Sequence, residues 1–317
     1  MRKIGYLPLL VCAVLALMPA VPSRAQEHVV FTPHWIAQAQ FAGYYVAKEK
    51  GFYQDEGLDV DIVHPSATQA PLDNLLSGKC QVISMSLCQA LDITDRGIGI
   101  TDILQTSMNS STMIISRTTN DMHELNGCKM GTWINPDAMC YCMSRRENLE
   151  FEWVRSVSNV NFFIRGGIDA MTAMSYNEYY HLQQSGMELK ESQIYRLADH
   201  GYNVQEDGIY MANEYYGTHK DQACRFAKAS RRGWEWAAEH PEETLDIVMQ
   251  YVRAEKIGTN RTLQKFMLEE VLRQQIDKDS GTRDFRLRPD MVKLASDLMV
   301  ECGLLKHEVK YEQLVDL

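Results

Sequence analysis

The stretch HVVFTPHWIAQAQFAGYYVAKEKGFYQDEGLDVDIV, residues 28–63, changes its hydrophobic period twice, and those changes decide the fold class. Residues 28–32 read as a short apolar strand that runs into an aromatic-rich loop. Residues 41–50 then carry Tyr44, Tyr45 and Ala47 at helical spacing, and the Lys50-Gly51 step stops the helix, since glycine accepts the backbone conformation that closes a helical end. Residues 58–63 alternate Leu58, Val60 and Ile62 with Asp59 and Asp61, the period-two pattern of a strand with one buried face. The rhythm continues with a helix over 70–77 ended by Gly78, a strand over 80–85 and a helix over 86–96. The N-terminal third therefore reads β-α-β-α-β-α, a sheet with helices on its faces.

Further along, residues 113–116 read as a strand leaving this first unit. Strands are expected at 129–133 and 151–154, a helix at 137–148, a helix-to-strand passage at 168–174 and a returning strand at 208–211. From residue 219 the pattern is helical. An amphipathic segment spans 221–239, and Pro241 with Glu242 and Glu243 opens the next helix, where proline and acidic side chains suit the first turn. Thr259 is expected to cap a helix reaching 275, and a last helix over 289–302 closes at Gly303. The economical architecture is two α/β lobes joined by two crossings. Residues 26–114 and 210–317 would form the first lobe with a helical tail, and 115–209 the second.

The first twenty-five residues have the layout of a secretory signal peptide: basic Arg2 and Lys3, an apolar run from Ile4 to Met18, and Ser23-Arg24-Ala25 as a small-x-small cleavage site. The run is shorter than the roughly 20 residues of a membrane span. Cys12 follows Leu-Leu-Val, a poor lipidation site, so a free periplasmic protein is expected. Of 32 basic residues, Arg2, Lys3 and Arg24 leave with the leader, so the mature chain carries 29 against 42 acidic residues, a net charge of −13. Such a balance disfavours nucleic acid and anionic membranes as partners, both of which select basic surfaces. A chain of about 290 residues exceeds one small core, consistent with two lobes. Seven cysteines remain: Cys80, Cys88, Cys128, Cys140, Cys142, Cys224 and Cys302. None has C-x-x-C spacing, so buried thiols or an occasional disulfide are expected, with no metal site.

Two segments carry candidate chemistry. The first runs from Thr32 to Gly43, between the first strand and first helix, where open α/β sheets present binding loops. Trp35 offers a flat apolar face, and Gln38 and Gln40 each donate and accept, as heterocycle nitrogens and exocyclic amines require. Trp35 and Phe41 would equally fill the rim of the lobe. The second segment is Met174-Ser175-Tyr176-Asn177-Glu178-Tyr179-Tyr180, one carboxylate among three tyrosines. Glu178 could accept from a ring amine while Tyr176 stacks or donates, with Asn177 beside them. A solvent-facing helix start would also explain Glu178. Ser84 and Ser86 sit at the third strand-to-helix turn, where Ser86 fits either a ligand's polar edge or a helix N-cap. H-E-x-x-H, G-x-S-x-G and phosphate-binding glycine loops do not occur, so nothing demands catalysis.

These segments carry a family likeness. The run from Trp35 through Lys50 to Val60, the stretch GGIDAMTAMSYNEYYHLQQSG (166–186), and LADHGYNVQEDGIYMANEYY (197–216) resemble the periplasmic solute-binding proteins of ABC importers for thiamine-pyrimidine precursors. They also resemble the related hydroxymethylpyrimidine phosphate synthases. GWEWAAEHPEETLDIVMQY (233–251) and TNRTLQKFMLE (259–269) extend the likeness to about residue 276. The resemblance implies a type II periplasmic binding protein fold: two α/β lobes, a hinge of two crossover strands and a ligand cleft between them. It assigns ligand contacts to Trp35, Tyr176 and Glu178, with Gln38 and Gln40 near the polar positions of the loop. It implies an aminopyrimidine-like ligand, an inner-membrane ABC permease as partner, a monomer, and no cofactor. Ala37 stands where that loop usually has proline, and Gln38 and Phe41 replace its Asn and His, so another small aromatic or a sulfonate stays open as ligand. At the synthase's lysine and histidine positions this chain has Met85 and Gln89, and its cysteine-motif region, residues 201–211, has no cysteine.

Overall fold

Two five-stranded sheets with one shared strand order organise the described residues of the computed structural model, 26–65, 70–156, 160–278 and 280–316. The expected leader, 1–25, lies outside the described residues. The first lobe begins β1 (Glu27–Thr32), α1 (Ala42–Glu49), α2 (Phe52–Asp55), β2 (Leu58–Ile62), α3 (Pro71–Leu76), β3 (Val82–Ser86), α4 (Leu87–Asp95) and β4 (Ile100–Gln105). The second comprises β5 (Thr112–Ser116), β6 (Lys129–Thr132), α5 (Ala138–Arg146), β7 (Glu152–Arg155), α6 (Asn161–Ile164), β8 (Ala170–Met174), α7 (Glu178–Gln184) and β9 (Ile194–Arg196). The chain returns through β10 (Asp207–Ala212) and ends in α8 (Asn213–Thr218), α9 (Lys220–Glu239), α10 (Pro241–Ala254), α11 (Arg261–Gln274) and α12 (Pro289–Glu301).

In the first sheet the order is β2-β1-β3-β10-β4, in the second β7-β6-β8-β5-β9. β1 lies parallel to β2 and β3, and β6 parallel to β7 and β8, as strands linked through helices must. The fourth strand of each sheet runs antiparallel to both neighbours. It is the strand delivered from the other lobe, β10 after β9 and β5 after β4. Strand pairing thus changes sheets within 106–111 and 197–206. The expected lobe limits at 114/115 and 209/210 instead cut through β5 and β10, because an apolar strand announces itself in sequence while the polar step before it does not.

The two joints are stitched to one another. The Thr106 and Ser107 amides donate to the Asp207 carbonyl at 2.8 and 3.1 Å, and the Glu206 amide donates to Ser107 Oγ at 3.0 Å. The Glu206 carboxylate accepts from Ser110 Oγ (2.8 Å), the Ser111 amide (2.8 Å), the Ser111 hydroxyl, and the amide and hydroxyl of Thr112 (3.1 and 2.9 Å). Burial nonetheless lifts its pKa to about 7, the serine and threonine donors opposing and the nearby Asp207 charge adding to the rise.

Packing differs between the lobes. In the first, α1 and α9 cross so closely that a Cβ on Gly43 would stand 2.2 Å from the Trp234 indole and one on Gly233 2.1 Å from the Gly43 carbonyl. Trp234, Tyr44 and Phe226 fill the space beneath. A second apolar cluster runs across both lobes, from Ile83, Leu91 and Tyr210 to Met130, Cys140 and Met143, closed by Val292 and Met299 of α12. The second lobe's separate cluster is small, around Ile115, Phe163, Ile168 and Leu182. The α11 cap is Asn260, whose Oδ1 accepts from the Leu263 amide at 2.9 Å; the expected cap, Thr259, instead accepts from Gln264 Nε2 at 2.9 Å. Among the described residues no helix is long and apolar enough to cross a membrane.

Candidate functional site

On the first lobe, a chain of polar side chains runs along the ends of β1, β3 and β10. Gln38 Nε2 donates to Gln40 Oε1 (2.6 Å), and Gln40 Nε2 donates to Asp207 Oδ2 (2.6 Å) while approaching His34 Nε2 (3.3 Å). His34 binds Ser84 Oγ twice, through its amide (2.9 Å) and Nδ1 (2.7 Å). A proton on Nδ1 satisfies both ring contacts: Nδ1–H donates to Ser84, and Nε2 accepts from Gln40. The Ser84 hydroxyl hydrogen then has another acceptor to serve. Asp207 Oδ2 is occupied, which leaves Oδ1, 3.7 Å from His34 Nε2 on a side chain 23% exposed, as the oxygen with room for a further donor.

The aromatic loop is fixed from below. His64 Nδ1 meets the Trp35 carbonyl at 2.7 Å and its Nε2 meets the Tyr45 hydroxyl at 2.8 Å. Burial lowers the His64 pKa, so the neutral ring donates to Trp35 and accepts from Tyr45. The Ala39 amide donates to Gln264 Oε1 at 2.7 Å, which anchors the loop to α11. Trp35 itself is half-buried against the first lobe's core.

On the second lobe, Glu178 opens α7 with both oxygens engaged. Oε1 accepts from Trp133 Nε1 (2.8 Å) and Asn177 Nδ2 (3.3 Å), and Oε2 from the Met174 amide (2.9 Å). Burial raises its pKa, against the pull of those donors. Trp133, at the end of β6, is half-buried. Tyr176 leaves the second sheet but is buried in the first lobe's core cluster. Burial raises its pKa well above the ordinary phenol value, and the charges of Asp207, Glu206 and Glu178 push it further. Gln274 Nε2 donates to Ser175 Oγ (2.9 Å), and the Tyr180 and Phe266 rings stack 4.0 Å apart, so α11 of the first lobe touches the start of α7 on the second.

Of the residues expected from sequence, Gln38 and Gln40 join one network and Asn177 and Glu178 another with Trp133, while Tyr176 is buried in the first lobe's core and Trp35 packs against it. Ser86 caps α4: its Oγ accepts from the Gln89 amide and its own amide donates to Gln89 Oε1, both at 3.3 Å. Ser84, two residues earlier, is the one turned to the polar chain. Sequence reasoning passed over Asp207, His34 as a partner, Trp133 and Glu206. The acidic pair Glu206-Asp207 ahead of an apolar strand was the available signal.

Two α/β lobes, two adjoining crossings and a polar, aromatic-lined meeting face define the periplasmic binding protein class of fold. The chain belongs to the NMT1/THI5-like family, whose profile matches residues 38–244. It is 23% identical over 244 residues to the formylaminopyrimidine-binding protein of Halalkalibacterium halodurans, covering 73% of this chain and 72% of that one. It is 25% identical over 233 residues to the 4-amino-5-hydroxymethyl-2-methylpyrimidine phosphate synthase of Candida albicans, covering 68% of each. Among solved structures, the periplasmic aliphatic sulphonate binding protein SsuA of Escherichia coli matches with a TM-score of 0.65 and 13% identity, over 91% of this chain and 97% of that one.

Proposed function

We propose that this chain is an exported periplasmic receptor, which captures a small aminopyrimidine-like heterocycle between its lobes and delivers it to an ABC permease of the inner membrane. The observation that carries the reading is the part-exposed Asp207, whose Oδ2 is held by Gln40 and whose Oδ1 has room for a further donor beside the His34 imidazole. A carboxylate with an open acceptor position favours a ligand that offers N–H donors or positive charge. A ring amine would donate to Asp207 Oδ1, and the ring would lie against Trp35 and Trp133. Glu178, with both oxygens taken, orients Trp133 and contacts ligand less directly than its sequence position suggested.

Asp207 disfavours a sulfonate, since an anion beside that carboxylate would meet like charge while losing its hydration. The synthase reading is weaker still. Of the two positions that the resemblance assigns to that enzyme's lysine and histidine, Met85 is a buried core residue and Gln89 is spent in the α4 capping box. A receptor therefore accounts for the residues better than an enzyme does.

Thermal melting of residues 26–317 with aminopyrimidines, thiamine, taurine and pyridoxal phosphate tests the proposal. A ligand that binds the folded state alone raises the melting temperature by mass action. An aminopyrimidine is expected to raise it by several degrees, unconsumed after prolonged incubation. A shift with taurine alone would overturn the ligand class, and loss of pyridoxal phosphate with appearance of a pyrimidine would overturn the receptor.

A further inference from the structure

Three unpartnered oxygens meet at one buried spot in the first sheet. β4 is the edge strand, and its register with β10 slips once: Ile209 faces Leu104 but Tyr210 faces Asp102, so Ile103 bulges out of the pairing. Side chains alternate sides along a strand, and the extra residue brings Asp102 onto the side that Gln105 occupies. Both approach Gly208, where a Cβ would stand 2.5 Å from Gln105 Oε1, 2.7 Å from Asp102 Oδ2 and 3.0 Å from the Tyr210 hydroxyl. Gln105 and Tyr210 are fully buried, and none of the three oxygens, all of them out of contact with solvent, has a hydrogen-bond partner among the described residues. The sense of the Gln105 amide is fixed, because its Nε2 donates to the Ser107 carbonyl at 3.2 Å and Oε1 is left facing Gly208. Glycine inside a strand marks places where another group comes close to the backbone.

We propose that Asp102, Gln105 and Tyr210 hold a monovalent cation of sodium or potassium size between β4 and β10. A carboxylate oxygen and an amide oxygen gathered out of water call for positive charge between them, and the Tyr210 hydroxyl turns a lone pair to the same ion. A water molecule would satisfy the hydrogen-bond count and leave the buried charge uncompensated. Transition metals ask for nitrogen or sulfur ligands, and calcium for about six to eight oxygens. Among the described residues no three or more His, Cys, Asp or Glu side chains gather to bind such a metal. One carboxylate with neutral oxygens matches a single positive charge instead. Gly208 is the second residue of β10, so the ion sits where the returning strand enters the first sheet after the second joint. It fastens that strand to the edge strand, whose Asp102 amide in turn donates to the Leu314 carbonyl of the C-terminal segment at 2.7 Å.

Thermal melting at one fixed ionic strength in sodium, potassium or choline chloride tests this, choline being too bulky to enter between two strands. The melting temperature is expected to rise by several degrees, and to saturate, as sodium or potassium replaces choline, because an ion held by the folded state alone stabilises it by mass action. Asp102→Asn removes the charge and should abolish that dependence. Equal melting of the wild-type protein in all three salts overturns the proposal in favour of a bound water or a proton shared by Asp102 and Gln105, and that result needs no variant to fold. An ion dependence that survives Asp102→Asn places the cation elsewhere and overturns it as well.

Discussion

The two lobes share a strand order and differ in what holds them. The first has a helical core of its own, in which α1 and α9 meet through Gly43, Gly233 and Trp234. The second keeps only a small private cluster and borrows the rest of its apolar cover from the cluster shared with α4 and α12. Their polar and aromatic groups differ in the same sense. The first lobe presents a polar chain with an oxygen to spare, while the second presents Trp133 with a carboxylate fully used in holding it. In the proposed receptor, the first lobe would be the platform that reads polar groups and the second the cover that supplies a ring.

That contrast is open to direct attack. The largest effect is expected from Gly43→Ala, which drives a methyl into the buried Trp234 ring and should cost about 3 kcal/mol in denaturant unfolding. A cost near zero would mean the first lobe's core is looser than its geometry implies. Asp207→Asn should weaken binding of an aminopyrimidine roughly 100-fold by calorimetry with the fold intact, whereas Trp133→Phe should cost about tenfold. Equal losses would erase the distinction between platform and cover.

Glu206 supplies a pH test at the joints. Its native pKa of about 7 exceeds the ordinary glutamate value of 4.5, so the native state holds more protons than the unfolded state between those limits. Stability then falls as pH rises through that window. Relative to Glu206→Gln, the wild type should gain on the order of 2 kcal/mol between pH 8 and pH 5. Parallel pH profiles would place the carboxylate in water. The smallest effect is expected in the second lobe. A Cβ on Gly131 would meet Ile168 Cδ1 at 2.3 Å, but that is the movable tip of a side chain, so Gly131→Ala should cost only about 1 kcal/mol.

Much of the first lobe was legible because each element declares its own period. The alternation of Leu58, Val60 and Ile62 became β2, and the 41–50 pattern became α1. β4 and β9 were missed: Ile100–Gln105 mixes apolar and polar residues without alternation, and Ile194–Arg196 spans three residues. The candidate segments were visible as unusual local compositions, yet their wiring was not. Glu206 finds its donors 94 to 96 residues away, and Asp207 meets Gln40 across 167. Pairings of that separation follow from topology, which local pattern does not encode.

The exchanged strands also bear on how the chain is made. In each sheet the strand between the third and the edge arrives from the opposite lobe, and for the first sheet it is residues 207–212. During synthesis, β3 and β4 wait without the partner that joins them until two-thirds of the polypeptide exists. Closure over that sequence distance is slow compared with local helix formation. A nascent chain of this topology stays unfinished, and hence threadable through a translocation pore, for much longer than one whose sheets close hairpin by hairpin.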